Sequence, residues 1–309
     1  MTETAPTVVL SGASGMLGTA LRHALADRRI PTLQLLRSAP AGAHQLQWDP
    51  TLDHPISESA RLEGCACAIH LSGASIAGRR WTEAYRRELK SSRVDTTRAL
   101  AAALARLRHP PETLLVASAV GIYGNRGDEV LDESSALGSG FLAELCREWE
   151  EAADLAKKAG IRVVPLRFGV VLDTTAGALA KMLPAFRLGL GGRLGSGTQW
   201  MSWVSLEDAV NAILFGMDTR SLAGPVNVTS PNPVRNAEFT RVLARTLHRP
   251  AILPAPAFAL RLVLGAMADE ALLAGARAVP ARLQAAGFRF TNSHLPSALD
   301  AALAQKPHR

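Results

Sequence analysis

Apolar residues recur along the first half of the chain in two alternating rhythms. Short apolar or β-branched runs at Thr7–Ser11, Pro31–Leu36, Cys65–Ser72, Thr113–Ala117 and Ile161–Leu166 read as strands buried on both faces. Between them, apolar residues fall at helical spacing. Leu21 and Leu25 follow the first strand, and Leu89, Val94, Ala99 and Leu100 punctuate a long helix expected over Thr82–Arg108. Leu142, Leu145, Trp149 and Ala152 mark another over Phe141–Ala159. Pro110–Pro111 ends the long helix, since neither proline offers a backbone N–H. Strand and helix alternating in this way predict an α/β fold: a Rossmann-type, doubly wound parallel sheet.

After Val170 the rhythm changes. Gly189, Gly191, Gly192, Gly195 and Gly197 crowd into one loop region. One more strand is expected at Val226–Thr229, before a helix over Asn236–Leu247. The remaining residues are rich in Ala, Leu and Pro and read as helical. The expected organisation is a nucleotide-binding Rossmann domain over 1–170, with 203–229 returning to it. A smaller, mostly helical substrate lobe covers 171–309, including a C-terminal helical segment from about residue 250. No internal repeat or low-complexity linker interrupts this plan. Disorder is expected only at Met1–Pro6 and Gln305–Arg309.

A chain that is 48% hydrophobic and 20% charged can bury a large core. Its 34 Lys and Arg exceed its 27 Asp and Glu, giving a formal charge of +7. The cations are scattered, with short clusters such as Arg86–Arg87 and Lys157–Lys158, and form no aromatic-interleaved stripe; no nucleic-acid partner is expected. Three cysteines, Cys65, Cys67 and Cys146, cannot build a disulfide framework, and the histidines show no metal-binding spacing, so no metal is expected. No run is apolar enough for a membrane span and no signal-peptide pattern opens the chain, which points to a cytoplasmic protein without a membrane partner.

The first chemical signal is Gly12-x-x-Gly15-x-x-Gly18, set between an expected strand and an expected helix. Glycines allow a tight turn and close approach to a pyrophosphate, while the helix start supplies N–H donors and positive dipole. At the end of the second expected strand stand Leu36, Arg37 and Ser38, with no Asp or Glu. An acidic residue there would accept hydrogen bonds from a ribose and favour NAD; Arg37 instead suits a 2′-phosphate, and NADP(H) is the expected cofactor.

Several stretches together resemble one family, the atypical extended short-chain dehydrogenases called epimerase-family or sugar-nucleotide-epimerase-like proteins. They are His70-Leu-Ser-Gly73, Arg80-Trp-Thr82, Ser92-Arg-Val-Asp-Thr-Thr-Arg-Ala-Leu100, Ser118-Ala-Val-Gly-Ile-Tyr-Gly124 and Arg126-Gly-Asp128. Phe141–Glu150, Leu166–Leu172 and Gln199–Val204 continue the match, and the segment from about Pro250 resembles the family's small appended domain. The resemblance implies that Gly12, Ser14, Gly15, Met16 and Leu17, with Gly18 closing the motif, hold the pyrophosphate. Leu71 and Ser72 would lie on the adenosine side. Arg93 would reach phosphate or ribose with Glu88 as its neighbour, and Gly169 and Val170 would sit near the nicotinamide.

Active members of this superfamily carry a Tyr-x-x-x-Lys pair in which the lysine lowers the tyrosine pKa. Aligned on Glu150, the helix here places Leu142 and Cys146 at those positions, and Ala119 falls where the usual serine belongs. Tyr123 and Ser118 are the remaining catalytic candidates, with the Arg80–Trp81 loop beside them. Tyr123 would keep a pKa near 10 without a lysine, or serve only to pack. Cys146 is expected to be an inert packing thiol, and Gln199–Trp203 to line a pocket or cover the sheet edge. Two functions follow: an NADP(H)-binding oxidoreductase or nucleotide-sugar-epimerase-like enzyme of unknown small-molecule substrate, or a non-catalytic NADP(H)-sensing scaffold acting through a protein partner. The resemblance also allows a homodimer.

Overall fold

The structure is a computed structural model that describes residues 7–304. The termini expected to be disordered, Met1–Pro6 and Gln305–Arg309, lie outside the described residues. In chain order the strands are β1 (Val8–Ser11), β2 (Thr32–Leu36), β3 (Gln45–Gln47), β4 (Cys67–His70), β5 (Thr113–Ala119), β6 (Val130–Leu131) and β7 (Arg162–Phe168). They continue with β8 (Val170–Leu172), β9 (Trp200–Met201), β10 (Trp203–Ser205), β11 (Val226–Val228), β12 (Val234–Arg235) and β13 (Arg277–Ala278). The helices are α1 (Met16–Asp27), α2 (Glu83–Lys90), α3 (Thr96–Ala105), α4 (Phe141–Glu151), α5 (Asp154–Lys158) and α6 (Gly177–Arg187). After these come α7 (Leu206–Asp218), α8 (Asn236–Thr246), α9 (Ala257–Leu264), α10 (Ala281–Ala285) and α11 (Leu295–Ala304).

Seven parallel strands form the central sheet in the order β11-β7-β5-β4-β1-β2-β3. The chain winds outward from β1 toward β3, then crosses back to β4 on the other side of β1. This reversal leaves a crevice beyond the carboxyl ends of β1 and β4, where doubly wound sheets bind ligands. β1 and β4 are buried along their whole length, because helices cover both faces. Leu21 and Leu25 of α1 and Leu100 and Leu104 of α3 are buried in this core. Each such leucine contributes roughly 1.5–3 kcal/mol by leaving water.

A second core unites Leu179, Leu183 and Phe186 of α6 with Trp203 of β10, Phe239 and Leu243 of α8, and Leu295 and Leu299 of α11. Short strand pairs β8–β10 and β9–β12 tie this region to the sheet's carboxyl end. Among the described residues, no helix is long and apolar enough to cross a membrane.

Two expected helices are interrupted. The run over Thr82–Arg108 begins at Thr82, whose hydroxyl accepts from the Tyr85 N–H at 3.2 Å, but a π-helical turn at Ser91–Asp95 separates α2 from α3. The extra residue shifts the helix phase there, and Arg93 becomes buried inside that turn. The run over Phe141–Ala159 breaks at Ala152–Ala153, between α4 and α5.

Candidate functional site

The glycine motif forms the β1–α1 turn. Gly12 has φ +73°, and a Cβ there would lie 2.6 Å from the Leu71 carbonyl carbon. A Cβ on Gly18 would lie 2.1 Å from the Gly12 carbonyl oxygen, so glycine lets α1 close against the turn. Gly15 is the N-cap of α1 and supplies no side-chain cap. The one heavy atom that a Cβ on Gly15 would meet within 4 Å is the Gly12 oxygen, at 3.4 Å. The helix start therefore faces open space with its first N–H groups free of any side-chain acceptor. Ser14 is exposed on the turn, and Leu71 and Ser72 follow β4 directly beside it. Arg37 and Ser38 stand exposed just past β2, and the Arg37 guanidinium has no partner among the described residues.

Farther along the carboxyl edge a cavity of about 740 Å³ opens. Its walls are Ala119–Gly121 at the end of β5, Leu142, Cys146 and Trp149 on α4, Phe168–Val170, and Gln199–Ser202, with residues 269–276 closing it. Gly169 lies so close to the neighbouring chain that a Cβ would be 2.4 Å from the Ser202 oxygen. Leu142 and Cys146 both line this cavity, as do Gln199–Ser202, whereas Trp203 is core. Burial pushes the Cys146 thiol up to about 12, so it stays protonated and uncharged.

Sequence reasoning missed Glu270. Its carboxylate accepts from the Phe141 N–H at 3.1 Å and the Leu142 N–H at 2.9 Å, capping α4 from a distant segment. A lone glutamate among Ala and Leu carries no local signal of that role. Gly140, with φ +103°, was the available hint that α4 lacks a local side-chain cap.

The two catalytic candidates do not line the cavity. Ser118, Arg167 and Asn227 stand side by side on β5, β7 and β11, in register. Tyr123 is fully buried; its hydroxyl donates to Asn227 Oδ1 at 2.8 Å and accepts from Arg167 Nη1 at 3.0 Å. Ser118 Oγ donates to Glu150 Oε1 at 2.7 Å. Burial raises the Tyr123 pKa above its ordinary value, and the nearby Arg167 charge only partly offsets this. The expectation of an acid/base at Tyr123 with a pKa near 10 is thus corrected: the phenol is a protonated member of a buried network, and Ser118 belongs to the same network.

Arg93 lines the cavity and stacks on Trp149 at 5.1 Å, but its guanidinium donates to the carbonyls of Leu89 (3.1 Å) and Ala74 (2.8 Å). Its expected neighbour Glu88 points elsewhere, pairing with Arg79 at 2.9 Å on the surface. Five residues apart, the two do not share a helix face: Glu88 lies on the solvent side of α2, whereas Arg93 is buried within the π turn. In the Arg80–Trp81 loop, Trp81 is buried, donates to the Ile76 carbonyl at 2.8 Å and packs edge-on against Phe141. At the cavity mouth Trp200 donates to Asp128 at 2.7 Å between the guanidinium groups of Arg235 and Arg277.

Residues 8–228, which hold the glycine turn and the whole central sheet, match the NAD dependent epimerase/dehydratase family. The chain belongs to that family. Residues 255–302 match a domain of unknown function (DUF1731), so in this epimerase/dehydratase family member the Glu270 cap and the closing wall of the cavity come from that segment. An epimerase family protein of Mycobacterium leprae is 43% identical over 295 residues, spanning 96% of this chain and 95% of its own. The Bos taurus epimerase family protein SDR39U1 is 35% identical, spanning 96% and 99%. The human SDR39U1 structure, solved with NADPH, superposes with a TM-score of 0.89 at 32% identity, spanning 97% of this chain and all of its own.

Proposed function

We propose that the chain binds NADP(H) and serves hydride transfer to an acceptor in the cavity beside Gly169, without a protein phenolate as proton carrier. The residues fit a dinucleotide: the uncapped start of α1 opens onto free space at Gly15. Gly12, Ser14, Gly15, Met16, Leu17 and Gly18 would hold the pyrophosphate, Leu71 and Ser72 the adenosine side, and Gly169 and Val170 the nicotinamide. Arg37, unpaired and with no acidic residue beside it at the end of β2, would clamp the 2′-phosphate that separates NADP from NAD. The presence of NADPH in the human relative's structure supports that assignment. When bound, the nicotinamide supplies the hydride.

The reading rests on Leu142 and Cys146 lining the cavity where a proton carrier is needed. Leucine holds no exchangeable proton, and a thiol at about 12 gives none up at neutral pH. A sugar hydroxyl must lose a proton to be oxidised; an electrophilic acceptor can instead take its proton from solvent, and the cavity favours the latter. Arg93 would keep a fixed positive charge beside the cofactor's ribose, while Glu270 holds the wall formed by α4.

The test is single-turnover oxidation of deuterated NADPH across a panel of electrophilic acceptors. Deuterium transfer at ~1 s⁻¹ or faster, abolished in Leu142→Trp while NADPH binding persists, supports the reading. The same Leu142 and Cys146 favour a second one, an NADP(H)-sensing scaffold. Absence of transfer to every acceptor, with NADPH slowing hydrogen exchange across residues 268–276, would select it.

A further inference from the structure

A second cavity, of about 570 Å³, lies on the outer side of the glycine-rich loop. Its floor is one face of α8, where Ala237, Thr240, Arg241, Ala244 and Arg245 recur at helical spacing, with His248 just past the helix end. Arg193 comes from the loop and Arg249 from the chain after α8, so four guanidinium groups and an imidazole surround a space lined by no carboxylate. Arg193 and Arg249 are steadied by the carbonyls of Ser196 and Arg187 at 2.9 and 3.1 Å. Arg241 and Arg245 make no hydrogen bond or ion pair with any described group.

The independent observation is Thr240. It is 4% exposed, yet its hydroxyl has no hydrogen-bond partner. A buried helical threonine ordinarily donates to the carbonyl one turn back, and leaving a buried hydroxyl unpaired is costly. Here it sits in the floor of the cavity, between alanines that keep the space beneath the guanidinium groups clear.

We infer that this cavity is a binding site for a small phosphorylated anion of the diphosphate or bisphosphate class. Arg241 and Arg245, one helical turn apart, meet the two charged ends, and the Thr240 hydroxyl donates to a phosphate oxygen from below. Arg193 and Leu194 line opposite cavities, as do Ala237 and Asn236, and the Leu194 N–H donates to Asn236 Oδ1 at 2.8 Å. The site therefore shares a wall with the cavity beside Gly169, and its ligand would stiffen that wall.

The test is calorimetric titration of the full chain with inorganic pyrophosphate at physiological ionic strength. The variants are Arg241→Glu, Arg245→Glu and Thr240→Val; the first two replace exposed side chains, and the third removes an unpaired hydroxyl at nearly constant volume. Wild type is expected to bind saturably. Each charge reversal should weaken binding by roughly tenfold or more, and Thr240→Val by about threefold or more with no loss of thermal stability. No saturable binding by wild type overturns the inference. So does binding that survives both charge reversals, which would place pyrophosphate at the start of α1 instead.

Discussion

Arg167 meets Glu150 through two parallel hydrogen bonds, Nε to Oε1 at 2.8 Å and Nη2 to Oε2 at 2.9 Å, with side chains 5% and 14% exposed. Burial alone would lower the Arg167 pKa, but the bonds and charge of Glu150 outweigh it and raise the value. Removing one partner strands the other charge in the core. Arg167→Met is expected to cost about 3–5 kcal/mol in urea denaturation, and the double variant Arg167→Met/Glu150→Leu to recover much of that loss.

Tyr123 hangs from the same pair. Tyr123→Phe leaves Asn227 Oδ1 and one Arg167 N–H without their partner, at a cost of about 1–3 kcal/mol by thermal or chemical melting. Because the phenol does not reach the cavity, NADPH affinity and any hydride-transfer rate should stay within about twofold of wild type.

How much of this was legible follows from where each signal resides. The β1–turn–α1 unit shows in sequence because Gly15 and Gly18 answer to the Gly12 backbone and Gly12 to its own positive φ, all within one short motif, although Gly12 also clears room for Leu71. The role of Tyr123 does not, since its partners Arg167 and Asn227 arrive on two later strands and only their register brings them together. The one-helix reading of Thr82–Arg108 failed at Ser91–Asp95 because a single inserted residue leaves apolar spacing nearly intact while turning Arg93 inward. β3 went unread for its brevity, at three residues. Glu270 acts on α4 across a separation of 129 residues, and no local pattern encodes that.

Glu270 itself is testable. Glu270→Gln keeps the shape but removes the negative charge from the start of α4. It should cost about 0.5–2 kcal/mol in stability and speed hydrogen exchange at Phe141 and Leu142, measured by mass spectrometry. Unchanged exchange there would separate the C-terminal segment from control of the cavity.

His70 sets an acid limit on the fold. It is fully buried on β4, its Nδ1 2.5 Å from Ser11 Oγ, and burial lowers its pKa from 6.5 to about 4. Between those values the unfolded chain binds a proton that the folded chain does not, so stability rises with pH across this window. Stability is lost as pH falls from about 6.5 toward 4, by up to about 3 kcal/mol from this group. His70→Asn should flatten the dependence of Tm on pH over that interval, even if its Tm at pH 7 is lower.

The central claim is that the β1–α1 turn and Arg37 hold NADP(H). Calorimetric titration of wild type and Arg37→Ala with NADPH and with NADH tests it most directly. The account predicts micromolar binding of NADPH by wild type and at least about tenfold weaker binding of NADH. Arg37→Ala should bring NADPH down to the NADH level, the loss expected for one charged phosphate contact. Equal affinity for the two nucleotides, or no binding of either, would contradict it.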